Sequence, residues 1–546
     1  MRYPDSWTPT YKMNIHLKKP IAEDRHWMPA ISLTKLQTSG ALLVRIEGKQ
    51  IALFDTPQGI RACDNRCPHE GYPLSQGSLS AGCILTCNWH NWKFNLDSGA
   101  NLYGGDRLRT YPVELRDEQV WVDIRELPYA ERRDTIEGSL HDAFDDHAYD
   151  RIAREIARLT RLGDDPLDAL RLAIVWSWQR MEFGWTHAYA GMADWLVLYD
   201  EFNHDKELQL VCLQEAVAHT AFDVLREPGY SYADEIISFD ETAFLKAIEV
   251  EDEPTAIASI RGGLRDGLAF SDLEPALTQA ALAHYNDFGH SLIYVSKAGQ
   301  LIHRLGAQVA EPLLLSLVRS IIYARREDKI PEFSGYATAL GAWGSGKGRE
   351  PSVEQWRRFG IDKSLKATVA SSAQNPEEIY AKLLIVNAIN LLSFDIEQQR
   401  KVQVTVSGNI GWLDFTHGLT FANAVRKQCT RFPHLWPQGL LQMACFSGRN
   451  AAFTTAEYDL DKWGPSDIET DIKSLVGRVF DHGQGEYIVS VHWLKLALAV
   501  REEVGELPGQ QGKYLVAALN RFINSPLKRR QARRIAHQSL QFVAKE

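Results

Sequence analysis

Between residues 27 and 126 apolar and polar positions alternate with a period of two. The clearest runs are Ala41-Leu-Leu-Val-Arg-Ile-Glu, Gln50-Ile-Ala-Leu-Phe-Asp, Gly59-Ile-Arg-Ala-Cys and Gln119-Val-Trp-Val-Asp-Ile. Alternation turns successive side chains to opposite faces, which predicts half-buried strands. Turn sequences such as Thr56-Pro-Gln-Gly and Asp97-Ser-Gly separate them, so a small antiparallel all-β domain is expected. Past residue 126 the spacing changes to steps of three and four. It predicts helices over 150–162, 166–183, 206–225, 274–305, 312–326, 376–392 and 488–504. Asp164-Asp-Pro and Glu311-Pro supply helix starts. The chain therefore reads as multidomain: an N-terminal arm (1–26), the β domain (27–126), a charged linker poor in aliphatic residues (127–146) and a large, mainly α-helical domain (147–546). Residues 335–352, with five glycines, read as a long loop.

Composition narrows the function classes. No apolar run approaches the ~20 residues that cross a bilayer, so no membrane span is expected. The opening Met1-Arg-Tyr-Pro-Asp-Ser-Trp lacks the apolar core of a secretory signal. A net charge of −10 over 546 residues argues against a nucleic-acid partner. Seven cysteines are too few, and odd in number, for a disulfide framework. A cytoplasmic location is expected, with clustered cysteines serving as metal ligands.

One cluster stands out. Cys67-Pro-His69 is followed, after 17 residues, by Cys87-Asn-Trp-His90. Two thiolates on one iron and two imidazoles on the other make a Rieske [2Fe–2S] centre. Neutral imidazoles leave that cluster less negative than four thiolates do, so it accepts an electron at higher potential. The same donors would also suit tetrahedral zinc, but the flanking β pattern favours the iron–sulfur reading. Residues 27–126 resemble Rieske proteins. Asp64-Asn-Arg-Cys-Pro-His-Glu-Gly-Tyr-Pro-Leu-Ser-Gln-Gly is similar to the family's first cluster loop, and Cys87-Asn-Trp-His-Asn-Trp-Lys-Phe to its second. Asn91 stands where the family usually has glycine. Cys63 and Cys83, each four residues before a ligand cysteine, read as small apolar residues in strands.

A Rieske centre only relays electrons, so a second redox site is expected in the helices. The ring-hydroxylating oxygenases carry two histidines separated by four residues, and no pair here has that spacing. What recurs instead is carboxylate-Phe-x-His: Glu201-Phe-Asn-His204, Asp287-Phe-Gly-His290 and Asp414-Phe-Thr-His417. On a helix, groups three apart share a face, as in the Glu-x-x-His element of di-iron bundles. Acid-x-x-His alone is no more frequent than chance allows with 17 histidines and 70 acidic residues. The added phenylalanine makes the pattern unusual. Asp287, His290, Asp414 and His417 are thus expected to hold a catalytic metal, with Glu201, His204 and His219 as further ligands. Glu215 and His219 share a helix face. His187, His303 and His492, taken singly, read as hydrogen-bonded core histidines.

The helical part resembles questin oxidase-like proteins in His290-Ser-Leu-Ile-Tyr-Val through Glu311-Pro-Leu-Leu-Leu and in Phe415-Thr-His-Gly-Leu-Thr. That family is associated with Baeyer–Villiger-type oxygen insertion into polyketide rings, and the resemblance implies functional roles for His290 and His417. No Gly-rich dinucleotide or phosphate loop is visible, so electrons are expected from a separate NAD(P)H-dependent reductase or ferredoxin. Two readings follow. The first is an oxygenase that inserts oxygen from O2 into a small aromatic or polyketide-like substrate, using a [2Fe–2S] cluster and non-haem iron, mono- or dinuclear. Its electrons would pass within one chain or across a homo-oligomer interface. The second is an electron carrier or redox sensor with a helical docking domain. The basic stretch Lys528-Arg-Arg-Gln-Ala-Arg-Arg reads as a solvated helix face.

Overall fold

The computed structural model describes residues 25–80, 82–103, 105–348, 351–528 and 530–546, so most of the expected N-terminal arm (1–26) lies outside the described residues. The chain divides into two units, Met1–Ser139 and Leu140–Glu546.

Among the described residues the first unit holds three antiparallel sheets. Strands β1 (Trp27–Ser32), β9 (Val113–Arg116) and β10 (Gln119–Asp123) form one, in the order β1-β10-β9. Strands β2 (Ala41–Ile46), β3 (Lys49–Thr56), β4 (Gly59–Asp64) and β8 (Thr110–Tyr111) form the second, in chain order. The third is the small sheet of β5 (Ser78–Leu79), β6 (Ile84–Cys87) and β7 (Trp92–Asn95). Alternation decides which face is buried. Leu53, Ala62, Val120 and Val122 fill one core, and Phe54, Cys63, Leu85 and Phe94 fill another beneath the small sheet. Cys63 and Cys83 are buried free thiols, not a disulfide. Cys83 lies in a turn, its thiol 3.1 Å from Gln58 Oε1.

The stretch 127–146, expected as a linker, is mostly helical. It forms the helix Tyr129–Asp145. Its charged residues sit on a helix face, where Arg133 pairs with Glu137 one turn on. Among the described residues beyond 126 there is no strand, only an isolated bridge between Phe394 and Thr454. The expected 274–305 helix is broken at His284–Tyr285 into Phe270–Ala283 and Asn286–Leu305. The glycine-rich 335–352 region includes the short helix Tyr336–Gly341. The stretch Ala307–Lys329 is long and apolar enough to span a bilayer by length and composition alone, and 72% of its most apolar 18-residue window is buried within the fold.

Four long helices carry the site in the second unit: His187–Glu201, Asn286–Leu305, Trp412–Arg431 and Tyr487–Glu506. The first is buried on nearly every side from Ala188 to Tyr199. A helix apolar all round shows no amphipathic period, so the sequence pattern passes over it.

Candidate functional site

Two constellations emerge, one in each unit. In the first, Cys67 and Cys87 are buried (4% and 1% exposed) and interact with each other, while His69 and His90 keep 24% and 38% of their side chains exposed. Their rings meet edge to face at 4.9 Å, and His69 stacks on Trp92 at 4.3 Å. The two loops repeat one turn. Gly71 N–H donates to the Cys67 carbonyl (2.8 Å), and Asn91 N–H donates to the Cys87 carbonyl (2.9 Å). The fifth residue is left-handed in both, Gly71 at φ +79° and Asn91 at φ +61°. Asparagine is among the few side chains that tolerate that region, so it stands in for glycine without loss of the turn. Burial pushes the free Cys67 thiol up to about 11, while the His69 and Glu70 backbone amides favour its thiolate. Buried sulfurs with amide donors and imidazoles at the surface fit a cluster with thiolates on its inner iron and histidines on its outer one.

The second constellation lies within the helical unit. His187, His290 and His417 bring donor nitrogens within 4.8 Å of one another. His492 completes the group: its Nε2 is 2.9 Å from His417 Nε2, and His187 Nε2 is 3.0 Å from His290 Nε2. A carbonyl can only accept, so Nδ1–H of His290 donates to the Asn286 carbonyl (2.7 Å), and Nδ1–H of His492 donates to that of Ile488 (2.6 Å). Each ring is thereby turned with its Nε2 inward, its other nitrogen held by a carbonyl as in metal-binding histidines. Two nitrogens ~2.0–2.1 Å from one ion at a right angle stand about 2.9 Å apart. Burial holds His187 and His417 well below the usual imidazole pKa, helped at His187 by the Lys495 charge and at His417 by His290. His187 also opens its helix, where the dipole disfavours a proton.

Beside the imidazoles, Lys495 is buried, and its Nζ has no hydrogen-bond partner among the described residues. Burial brings its pKa down to about 8. A different side of the group is walled by phenylalanines. Phe288 lies 6.4 Å from His417 and 4.5 Å from Phe446, and Phe421 packs on Phe446 at 5.5 Å. The backbone leading to His290 is left-handed at Asn286, Phe288 and Gly289. A bulky residue there is a costly exception of the kind found at working sites.

Residues 26–112 match the sequence profile of the Rieske [2Fe-2S] domain. The chain is 31% identical, over 100 residues, to the ferredoxin component of the naphthalene 1,2-dioxygenase system of Pseudomonas aeruginosa, covering 18% of this chain and 95% of that protein. The chain belongs to the Rieske [2Fe–2S] family. A Rieske segment of the 4beta-methylsterol monooxygenase of Methylococcus capsulatus is 37% identical over 91 residues, 14% of this chain and 24% of that enzyme. The chain thus spans almost all of the ferredoxin but only about a quarter of the monooxygenase. Among solved structures, the ferredoxin of carbazole 1,9a-dioxygenase from Nocardioides aromaticivorans is 20% identical, with a TM-score of 0.17, over 18% of this chain and 98% of that one.

In the Rieske unit, then, Cys67, His69, Cys87 and His90 come to one place. In the helical unit the expected set divides. His290 and His417 converge, while the Asp414 carboxylate is engaged elsewhere. Asp414 accepts from the Gly411 N–H (2.8 Å) at its helix start and pairs with Arg449 at 3.4 Å. The Asp287 side chain lies outside the described residues. Glu201 ends its helix in an ion pair with Arg501, and His204 is exposed. His219 belongs to a separate polar cluster, stacked on Tyr487 at 4.9 Å beside Glu215, which binds Tyr149 and His482. His303 lines an open cleft of about 700 Å³ with Phe270 and Arg431. His187 and His492, read singly as core residues, stand beside them and complete the group.

Proposed function

We propose that this Rieske oxidoreductase is an oxygenase whose second centre is a non-haem iron held by His187, His290, His417 and His492. The observation that supports it is the inward convergence of four imidazoles from four helices, three of them (His290, His417 and His492) buried. When bound, the cluster supplies electrons one at a time, and the iron supplies the dioxygen chemistry. The chain's own residues do the rest. The carbonyls of Asn286 and Ile488 fix the tautomers of His290 and His492. Phe288, Phe421 and Phe446 exclude water and offer an apolar face to an aromatic or polyketide-like substrate. Lys495, titrating near neutrality, gives or takes a proton beside the centre. The strained turn at Phe288 is the segment that yields to admit substrate. Electrons arrive from a separate reductase or ferredoxin at the exposed His69 and His90 edges.

Metal analysis combined with EPR tests this. More than two irons per chain, with the excess lost in His187→Ala and His492→Ala while the Rieske signal persists, is the expected result. Two irons in the wild type and no oxygen uptake would instead make the chain an electron carrier.

A further inference from the structure

The helix Ala532–Val543 is packed inside out. At about 100° per residue, Ile535, Leu540, Phe542 and Val543 gather on one side with two alanines, and Arg534 and Gln538 stand on the other. A helix laid on a core buries its apolar side. Here Arg534 and Gln538 are buried, while Ile535, Leu540, Phe542 and Val543 are each more than half exposed. The polar side holds the helix in place. Arg534 donates through Nε to the Lys401 carbonyl (2.9 Å) and through Nη2 to that of Gln398 (2.6 Å), and Gln538 Nε2 donates to the Val404 carbonyl (2.9 Å). Exposed hydrophobic residues are ordinary when scattered singly. Four on one side of one helix form a patch of the kind that meets a partner.

Charge says which partner. The chain carries a net charge of −10, yet between Glu506 and Glu546 it has no acidic residue and eight lysines and arginines. Five of the eight fall within residues 528–534, and of these Lys528, Arg530 and Arg533 are exposed. A second copy of the chain docked face to face here would bring two such basic stretches together. The helix has 12 residues and is about 18 Å long, so its one side alone is far smaller than the ~800 Å² that each partner of a stable protein interface buries. An anionic bilayer meets both needs: its headgroups receive the cations, and its acyl boundary receives the apolar side. We propose that the helix Ala532–Val543 docks the protein on anionic lipid membranes. Ile535, Leu540, Phe542 and Val543 enter the acyl boundary, and Lys528, Arg530 and Arg533 lie among the lipid headgroups. The contact is peripheral and reversible, and it weakens as salt screens the charges. Arg534 and Gln538 stay on their carbonyls throughout, so the helix carries the helical unit to the surface with it.

The test is flotation of the full chain, with its cluster, on lipid vesicles. Vesicles of phosphatidylcholine mixed with phosphatidylserine should carry the chain up the gradient, vesicles of phosphatidylcholine alone should not, and high salt should release what is bound. Arg530→Gln with Arg533→Gln should weaken binding about five-fold per charge removed. Leu540→Ser with Phe542→Ser should weaken it roughly ten-fold or more at unchanged charge. Both double variants alter only exposed side chains, and an unchanged thermal melt by circular dichroism shows that each still folds. A wild-type chain that stays at the bottom with phosphatidylserine vesicles overturns the proposal. Equal flotation of the Leu540→Ser, Phe542→Ser variant also overturns it, since the contact would then be adsorption by charge. If wild type sediments as a dimer and that variant as a monomer, the face belongs to a second copy and the lipid docking falls. None of these outcomes depends on second-site iron, so they stand apart from the oxygenase reading.

Discussion

Asp414 shows how a side chain's position can mislead. In Asp414-Phe-Thr-His417 the carboxylate and imidazole share a helix face, yet the carboxylate is spent on Gly411 N–H and Arg449. The motif marks a helix start that happens to deliver a histidine. Asp414→Ala is therefore expected to cost about 0.5–2 kcal/mol in denaturant unfolding, the usual scale for a helix-start contact, while second-site iron stays bound. Lys495 carries a different expectation. Its folded pKa of about 8 is below the unfolded 10.5, so the unfolded chain binds the extra proton between those values. The penalty is full below pH 8, at ~3 kcal/mol, and vanishes as pH rises through 10.5. In metal-free protein, Lys495→Met should be more stable than wild type near pH 7, with the gap closing by pH 10.5. Unfolding curves at the two pH values check this, and a constant gap would contradict it.

At the scale of elements, local turns and long-range convergence differ in legibility. The cluster ligands could be read because each pair lies in one five-residue turn whose geometry the chain sets locally. Asn91 follows the same rule: Asn91→Gly should leave the Rieske EPR signal and stability unchanged. Asn91→Val, which cannot easily hold φ +61°, should cost about 1–2 kcal/mol. The second centre draws one residue from each of four helices. Residue spacing could flag His290 and His417 but could not join them to His187 and His492, more than sixty residues away at the nearest. The helix Tyr129–Asp145 was hidden for a related reason: charge suggests solvent exposure, and an exposed helix is as charged as a loop. Gly289 is where element and site meet. At φ +83°, an added Cβ would lie 2.1 Å from Phe421 Cδ2. Gly289→Ala should displace His290 and lower second-site iron occupancy with the cluster intact, as metal analysis and EPR would show.

For the whole molecule, division into a β unit and a helical unit was legible from the change of period alone. The helical unit's centre was not, because nothing in one-dimensional spacing records which buried faces meet. If the four histidines hold iron, ligand binding to the native state alone stabilises it: iron at a hundred times its dissociation constant adds about 2.7 kcal/mol. Calorimetry of the full chain should show the helical transition rising with iron while the cluster's bleaching temperature stays put. A coincident shift of both would argue for one cooperative block.

His187 and His492 also bear on the order in which the molecule is made. The four corners of the centre are supplied at positions 187, 290, 417 and 492, so a nascent chain has no complete binding cage until its last corner has been synthesised and docked. On the oxygenase reading, iron capture would be a terminal event of assembly, waiting on the docking of the helix that carries His492.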